Sequence, residues 1–162
     1  MEQKAEKAEA DVKNLASAST LYAKAEQVAK DAEAAFQQKL SKEKDGEWFL
    51  TMIKKGTASD KVSALSMLIQ RNPKATISYV MQLLGIAKKL NRKLSEQAVV
   101  AIKDLFLRRY LVPNKETRKL AMFSRNPVII HKHASCSDEE LLDAYYDHCL
   151  RLILRDFLTN VL

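Results

Sequence analysis

The chain has 162 residues, 47% of them hydrophobic, with a net charge of +7 and only 3 Gly, 3 Pro and 2 Cys. That is enough apolar content for a core, too little Gly and Pro for the turns of a sheet protein, and too little Cys for a disulfide framework. No apolar run approaches the roughly 18 residues of a membrane span, charge from Glu2 onward argues against a secretory signal, and a reducing compartment, cytosol or nucleus, is expected.

The first predicted element is a long helix over residues 1–44, rich in Ala, Glu and Lys. Ala5, Ala8, Val12 and Leu15 follow three-four spacing, and Leu21, Ala25, Val28, Ala32, Phe36 and Leu40 resume it in another phase. The shift falls at Ser17-Ala18-Ser19-Thr20, where a break or kink is expected. Its stripe is mostly alanine, which buries little area, so the arm needs the body or a partner to cover it.

A helical body is predicted over residues 45–162. Asp45 is placed to cap a short helix with Trp48, Phe49, Met52 and Ile53, closed by Gly56 in the left-handed conformation. Thr57 to Asp60 reads as a capping box, opening a helix with Val62, Leu65, Leu68 and Ile69 on one face. Asn72-Pro73 ends that helix and starts the next, which is expected to bury Ile77, Val80, Met81 and Leu84. A fourth body helix carries Ala98, Val99, Ile102, Leu105 and Phe106 and stops before Pro113. A helical turn over Lys119 to Phe123 is expected to end at Asn126-Pro127, leaving His131 and His133 in a loop. Ser137 to Glu140 is a full capping box, opening a last helix with Leu141, Leu142, Tyr145, Cys149, Leu152, Ile153, Phe157 and Leu158.

Successive amphipathic helices with short connections predict an all-α fold. The expected form is a HEAT- or armadillo-like α-solenoid of antiparallel helix pairs with a long Ala-rich N-terminal arm. No internal sequence repeat accompanies it. The apolar end at Val161-Leu162 fits a fragment of a longer solenoid.

The charge is uneven. Residues 54–132 hold 17 Lys/Arg against 4 Asp/Glu, a net +13, while residues 1–53 net −2 and residues 133–162 net −4. A basic middle points to an anionic partner, or else to solvated helix faces. Lys88, Lys89, Arg92 and Lys93 cluster at one helix end and the following turn, and Lys103, Arg108 and Arg109 lie on the next helix. Lys115, Arg118, Lys119 and Arg125 follow. Together they predict a ridge, or two patches, for sequence-tolerant phosphate contact. Tyr110 and Phe123 stand nearby, as stacking platforms or as core.

Catalytic chemistry finds no support: there is no phosphate loop and no nucleophile elbow, and the carboxylates at Asp138 to Glu140 read as capping. His131, His133, Cys136, His148 and Cys149 lack a usual zinc spacing, so no metal or other cofactor is expected. Cys136, beside a helix N-terminus, is the one thiol placed for a lowered pKa. A small-molecule substrate has no site here.

Gly56-Thr57, Asp60-Lys61, Ser63-Ala64-Leu65, Gln70 and Pro73 resemble the GT-x-x-DK-x-SAL signature of nucleolar complex proteins of the CCAAT-binding-factor type. Ala98, Ala101, Lys103-Asp104-Leu105-Phe106, Leu111, Pro113, Lys119-Leu120, Phe123 and Pro127 continue the pattern, with Val112 where a second leucine is usual. Tyr145, Asp147 and Leu150 resemble its tyrosine-rich helix. The likeness runs over residues 47–162; this chain is far shorter than such proteins.

The resemblance implies a non-catalytic helical scaffold of the nucleolus, acting in early large-subunit assembly. It implies binding of precursor ribosomal RNA and a heterodimer with another nucleolar complex protein on the pre-ribosomal particle. Two other readings stand beside it: an interaction module without RNA contact, and a transcription factor linked to CCAAT boxes, for which no zipper, helix-turn-helix or finger pattern is present. The motif residues Gly56, Thr57, Asp60, Lys61, Leu65, Pro73, Asp104, Phe106 and Pro113 are expected to be structural.

Overall fold

The computed structural model describes residues 2–89, 91–107 and 120–161, with side chains from residue 17 onward. Among these residues the fold is all-α, without strands. Its helices are α1 (Glu2–Lys42), α2 (Gly46–Lys55), α3 (Ala58–Arg71), α4 (Ile77–Ala87), α5 (Arg92–Leu105), α6 (Pro127–Lys132) and α7 (Asp138–Asn160). Short 3-10 turns lie at Lys74–Thr76, Phe123–Arg125 and His133–Ser135. None of the described helices is long and apolar enough to cross a membrane.

α1 is helical without interruption through Ser17 to Thr20, so no break of the helix occurs there. Serine and threonine can bond a preceding carbonyl without displacing the helical ladder, and the flanking Ala, Glu and Lys are strong helix formers. Ala25, Ala29 and Leu40 are buried. Small side chains there let α1 approach α7 closely, which a leucine stripe would prevent.

The chain turns into α2 at Gly46, where an added Cβ would lie 1.8 Å from the Leu40 carbonyl oxygen. Asp45 stands at the N-cap in helical conformation and makes no side-chain cap. Gly56 closes α2, but in an extended conformation (φ −66°, ψ 165°) rather than the left-handed one expected. Glycine is needed there for close approach: a Cβ would sit 2.4 Å from the Met52 carbonyl oxygen, which already accepts the Gly56 N–H.

Both capping boxes form as the spacing predicts. Thr57 Oγ1 accepts from the Asp60 N–H at 3.2 Å, and Asp60 Oδ2 accepts from the Thr57 N–H at 3.1 Å. Ser137 and Glu140 repeat this at α7, at 3.2 and 3.0 Å. Pro73 adopts helical φ, but it leads into a 3-10 turn before α4 instead of opening α4 itself. Thr76 in that turn is fully buried, its hydroxyl donating to the Asn72 carbonyl at 2.7 Å.

The main core joins α2, α3, α4, α5 and α7 through Phe49, Leu65, Leu68, Ile69, Val80, Leu83, Ile102, Leu150 and Ile153. Leu84, Leu105 and Phe106 are also buried there. Three residues of the predicted apolar faces are not: Trp48 is 55% exposed, Met81 45% and Leu158 56%. Tyr79 and Leu83 take the inward positions on α4, because helices on several sides of it reward a face that the sequence period does not single out.

The expected turn of helix at Lys119 to Phe123 is displaced. Residues 120–122 are non-helical, a 3-10 turn follows, and Asn126-Pro127 starts α6 instead of ending a helix. Asn126 Oδ1 accepts from the Val128 N–H at 3.0 Å, and Pro127 occupies a first-turn position whose N–H needs no partner. His131 therefore lies on α6 and His133 in a 3-10 turn, not in an open loop. A second, smaller core joins Ala25 to Phe123, Ile129, Cys136, Leu141 and Ala144. α2, α3, α4 and α5 contact in chain order, and α7 returns to lie against both α4 and α1.

Candidate functional site

The basic turn sits between α4 and α5. It is locally well held: Asn91 caps α5 through the Leu94 N–H at 3.3 Å, and the Ser95 hydroxyl donates to the Ala87 carbonyl at 2.6 Å. Lys88, Lys89, Arg92 and Lys93 are all exposed on it. Two of them are already engaged. Lys88 Nζ lies 2.6 Å from Asp156 on α7, and Arg92 Nε lies 3.0 Å from Glu96 one turn along. Lys89 and Lys93 make no ion pair among the described residues, and neither does Lys103, exposed in the last turn of α5. Arg92 and Lys103 are eleven residues apart, close to three whole helical turns, so they share one face. Arg108, Arg109 and Pro113 lie outside the described residues, as do Tyr110, Lys115, Arg118 and Lys119.

The uneven charge has an internal use that the sequence count hides. Four carboxylates of α7 meet a lysine from another element: Asp138 meets Lys24 at 3.1 Å, Asp156 meets Lys88, Asp143 meets Lys74, and Glu140 meets Lys132. Lys132 and the Ser137 N–H hold the Glu140 carboxyl below its usual range, and Lys88 does the same for Asp156. Exposed pairs of this kind stabilise weakly one at a time, but together they orient the acidic α7 on the basic middle. Part of the positive excess is thus matched within the chain.

The other sequence candidates fall into structural places. Thr57 and Asp60 form the cap, Leu65 and Phe106 are buried, Asp104 is half-buried, and Lys61 is half-buried on the first turn of α3. Phe123 is buried edge-on to Tyr22, with centroids 5.2 Å apart, so it is core rather than a base platform. His148 joins the same cluster: Tyr22 lies edge-on to it, and its Nδ1 accepts the Phe123 N–H at 3.3 Å. Burial, helped by Arg151, lowers its pKa. Cys136 is buried, and burial with the nearby Glu140 raises its thiol pKa, the reverse of the lowering expected from a helix N-terminus. Among the described residues no three His, Cys, Asp or Glu gather as metal ligands do.

Sequence reasoning missed a groove between α3 and α5 with a volume of about 700 Å³. Its walls recur at helical spacing, Val62, Ser63, Ser66 and Met67 on one side and Lys93, Gln97, Val100 and Ala101 on the other. The available signal was Met67 and Val100, apolar residues outside the stripes that fill the core.

No family model and no solved structure matches the chain. Curated proteins do. Mouse CCAAT/enhancer-binding protein zeta is 29% identical over 134 residues, 75% of this chain. An uncharacterized protein of Schizosaccharomyces pombe is 31% identical over 108 residues, 64% of this chain. Nucleolar complex protein 1 of Drosophila melanogaster is 31% identical over 72 residues, 44% of this chain. This chain is a relative of the nucleolar complex and CCAAT-binding proteins. It spans 12% of the length of the mouse and yeast relatives and 6% of the Drosophila one.

Proposed function

We infer that the chain is a non-catalytic part of a nucleolar scaffold in early large-subunit assembly. The observation that carries this is the similarity to CCAAT/enhancer-binding protein zeta across 75% of the chain, joined by the match to a nucleolar complex protein. In this reading the packed helices form part of a HEAT-like array, supported by the chain-order contacts from α2 to α5. Precursor ribosomal RNA lies against the α4–α5 turn and α5, at Lys89 and Lys103 with Lys88 and Arg92 at the edge. Arg108 and Arg109, which lie outside the described residues, are proposed from the sequence to bind the same RNA. The protein partner is a second nucleolar complex protein within the pre-ribosomal particle.

The test is ultraviolet crosslinking of the full-length protein in cells, with sequencing of the attached nucleic acid and imaging of its location. Precursor ribosomal RNA with nucleolar signal is the expected result. Promoter DNA without that RNA would overturn the reading in favour of the CCAAT-linked one. A second reading, an interaction module without RNA contact, is favoured by the internal pairing of Lys74, Lys88, Arg92 and Lys132. Recovery of protein partners with no RNA would establish it.

A further inference from the structure

The α3–α5 groove differs from the basic turn in what it offers. Val62, Met67, Val100 and Ala101 give it an apolar lining, with Met67 52% and Val100 51% exposed. Such a lining disfavours a phosphate backbone, which would lose hydration against it. Both walls repeat every three to four residues over about two turns, the spacing that receives the ridge of another helix. Lys93 stands on the α5 wall, exposed and with no ion pair among the described residues.

We propose that this groove receives an amphipathic helix of a protein partner, with an apolar stripe and a carboxylate facing Lys93. Charge complementarity selects an acidic helix over a basic one, and the wall period selects a helix over an extended strand. The proposal rests on the scaffold reading above and gives it a docking mode. Glu96 also lines the groove, but its pairing with Arg92 leaves Lys93 as the open charge.

The purified chain tests this with two fluorescein-labelled model helices. Both carry the same leucine stripe over about five turns; one is flanked by glutamates, the other by lysines. Fluorescence anisotropy is expected to show the glutamate peptide binding more tightly. Lys93→Glu should reverse the preference, each peptide moving by about tenfold. Val100→Asp should weaken both peptides by at least about tenfold. Trp48→Asp, an exposed apolar site away from the groove, should change neither. Circular dichroism checks that each variant keeps its helices. No binding by either peptide, equal preference in wild type and Lys93→Glu, or full displacement of the peptide by single-stranded oligouridine would each overturn the proposal. The crosslinking outcome for the full-length protein does not depend on these results, so failure of the groove and failure of the scaffold reading remain separate.

Discussion

The backbone N–H of Phe123 donates to Nδ1 of His148 across 3.3 Å, which ties the turn before α6 to the middle of α7. Only an unprotonated Nδ1 can accept that bond. The imidazole faces Tyr22 on α1 and Arg151 on its own helix, and burial lowers its pKa below 6.5. The folded state therefore binds fewer protons than the unfolded chain in mildly acidic solution. Stability from this contact is fully present above pH 6.5 and falls as pH drops toward the lower folded value. Thermal melts between pH 7.5 and 5 should show this loss. His148→Gln, which keeps an acceptor but does not titrate, should flatten it; an unchanged slope in that variant would remove His148 as the cause.

The cap at α3 gives a second measurable expectation. Thr57→Ala removes the acceptor for the Asp60 N–H and should cost about 1 kcal/mol. Thr57→Ser keeps the oxygen and should retain most of that stability. Urea denaturation separates the two. Equal midpoints for alanine and serine would mean that the cap adds nothing to the fold.

Features set by near neighbours were legible in the sequence. Both capping boxes depend on residues three apart, and both formed. α4 was misread because Ile77, Tyr79, Val80, Leu83, Leu84 and Ala87 surround much of the helix, so no single phase stands out. Asn126-Pro127 carried a usable signal, the same Asn-Pro pair as Asn72-Pro73, yet such a pair can stop a helix or start one. Contacts between distant residues left no trace. Nothing in the local pattern links Lys88 to Asp156, and the charge count alone therefore exaggerated the free basic surface. The groove was hidden for the same reason, since it exists only where α3 meets α5.

Glycine at positions 46 and 56 is explained by space rather than by backbone handedness, and this is open to test. Neither has positive φ. Gly46→Ala would drive a methyl to 1.8 Å from the Leu40 carbonyl oxygen, and Gly56→Ala to 2.4 Å from that of Met52. Both obstacles are backbone atoms that cannot rotate away. Each substitution should destabilise by roughly 1–3 kcal/mol, as overpacking does, with Gly46 the more sensitive. Gly85→Ala is the control, because nothing lies within 4 Å of its added methyl. On the α4 helix that change should be neutral or stabilising by up to about 1 kcal/mol through helix propensity.

The ion pairs also divide the basic residues into two groups with different expected behaviour toward RNA. Lys89 and Lys103 are exposed and unpaired among the described residues, whereas Lys88 and Arg92 are held by Asp156 and Glu96. A cation already neutralised by a carboxylate releases fewer counterions from a phosphate than a free one. Each free cation that meets a phosphate adds about 0.7 to the magnitude of the salt slope on single strands. The double variant Lys89→Ala, Lys103→Ala should therefore lower that slope by about 1.4. Lys88→Ala with Arg92→Ala should lower it less. Asp156→Asn should raise it, since it frees Lys88 while leaving the cation in place. Affinity for a single-stranded RNA across a salt titration, measured on all four proteins, decides the matter. If every slope is the same, these lysines only face solvent, and the interaction module without RNA contact becomes the better account of the chain.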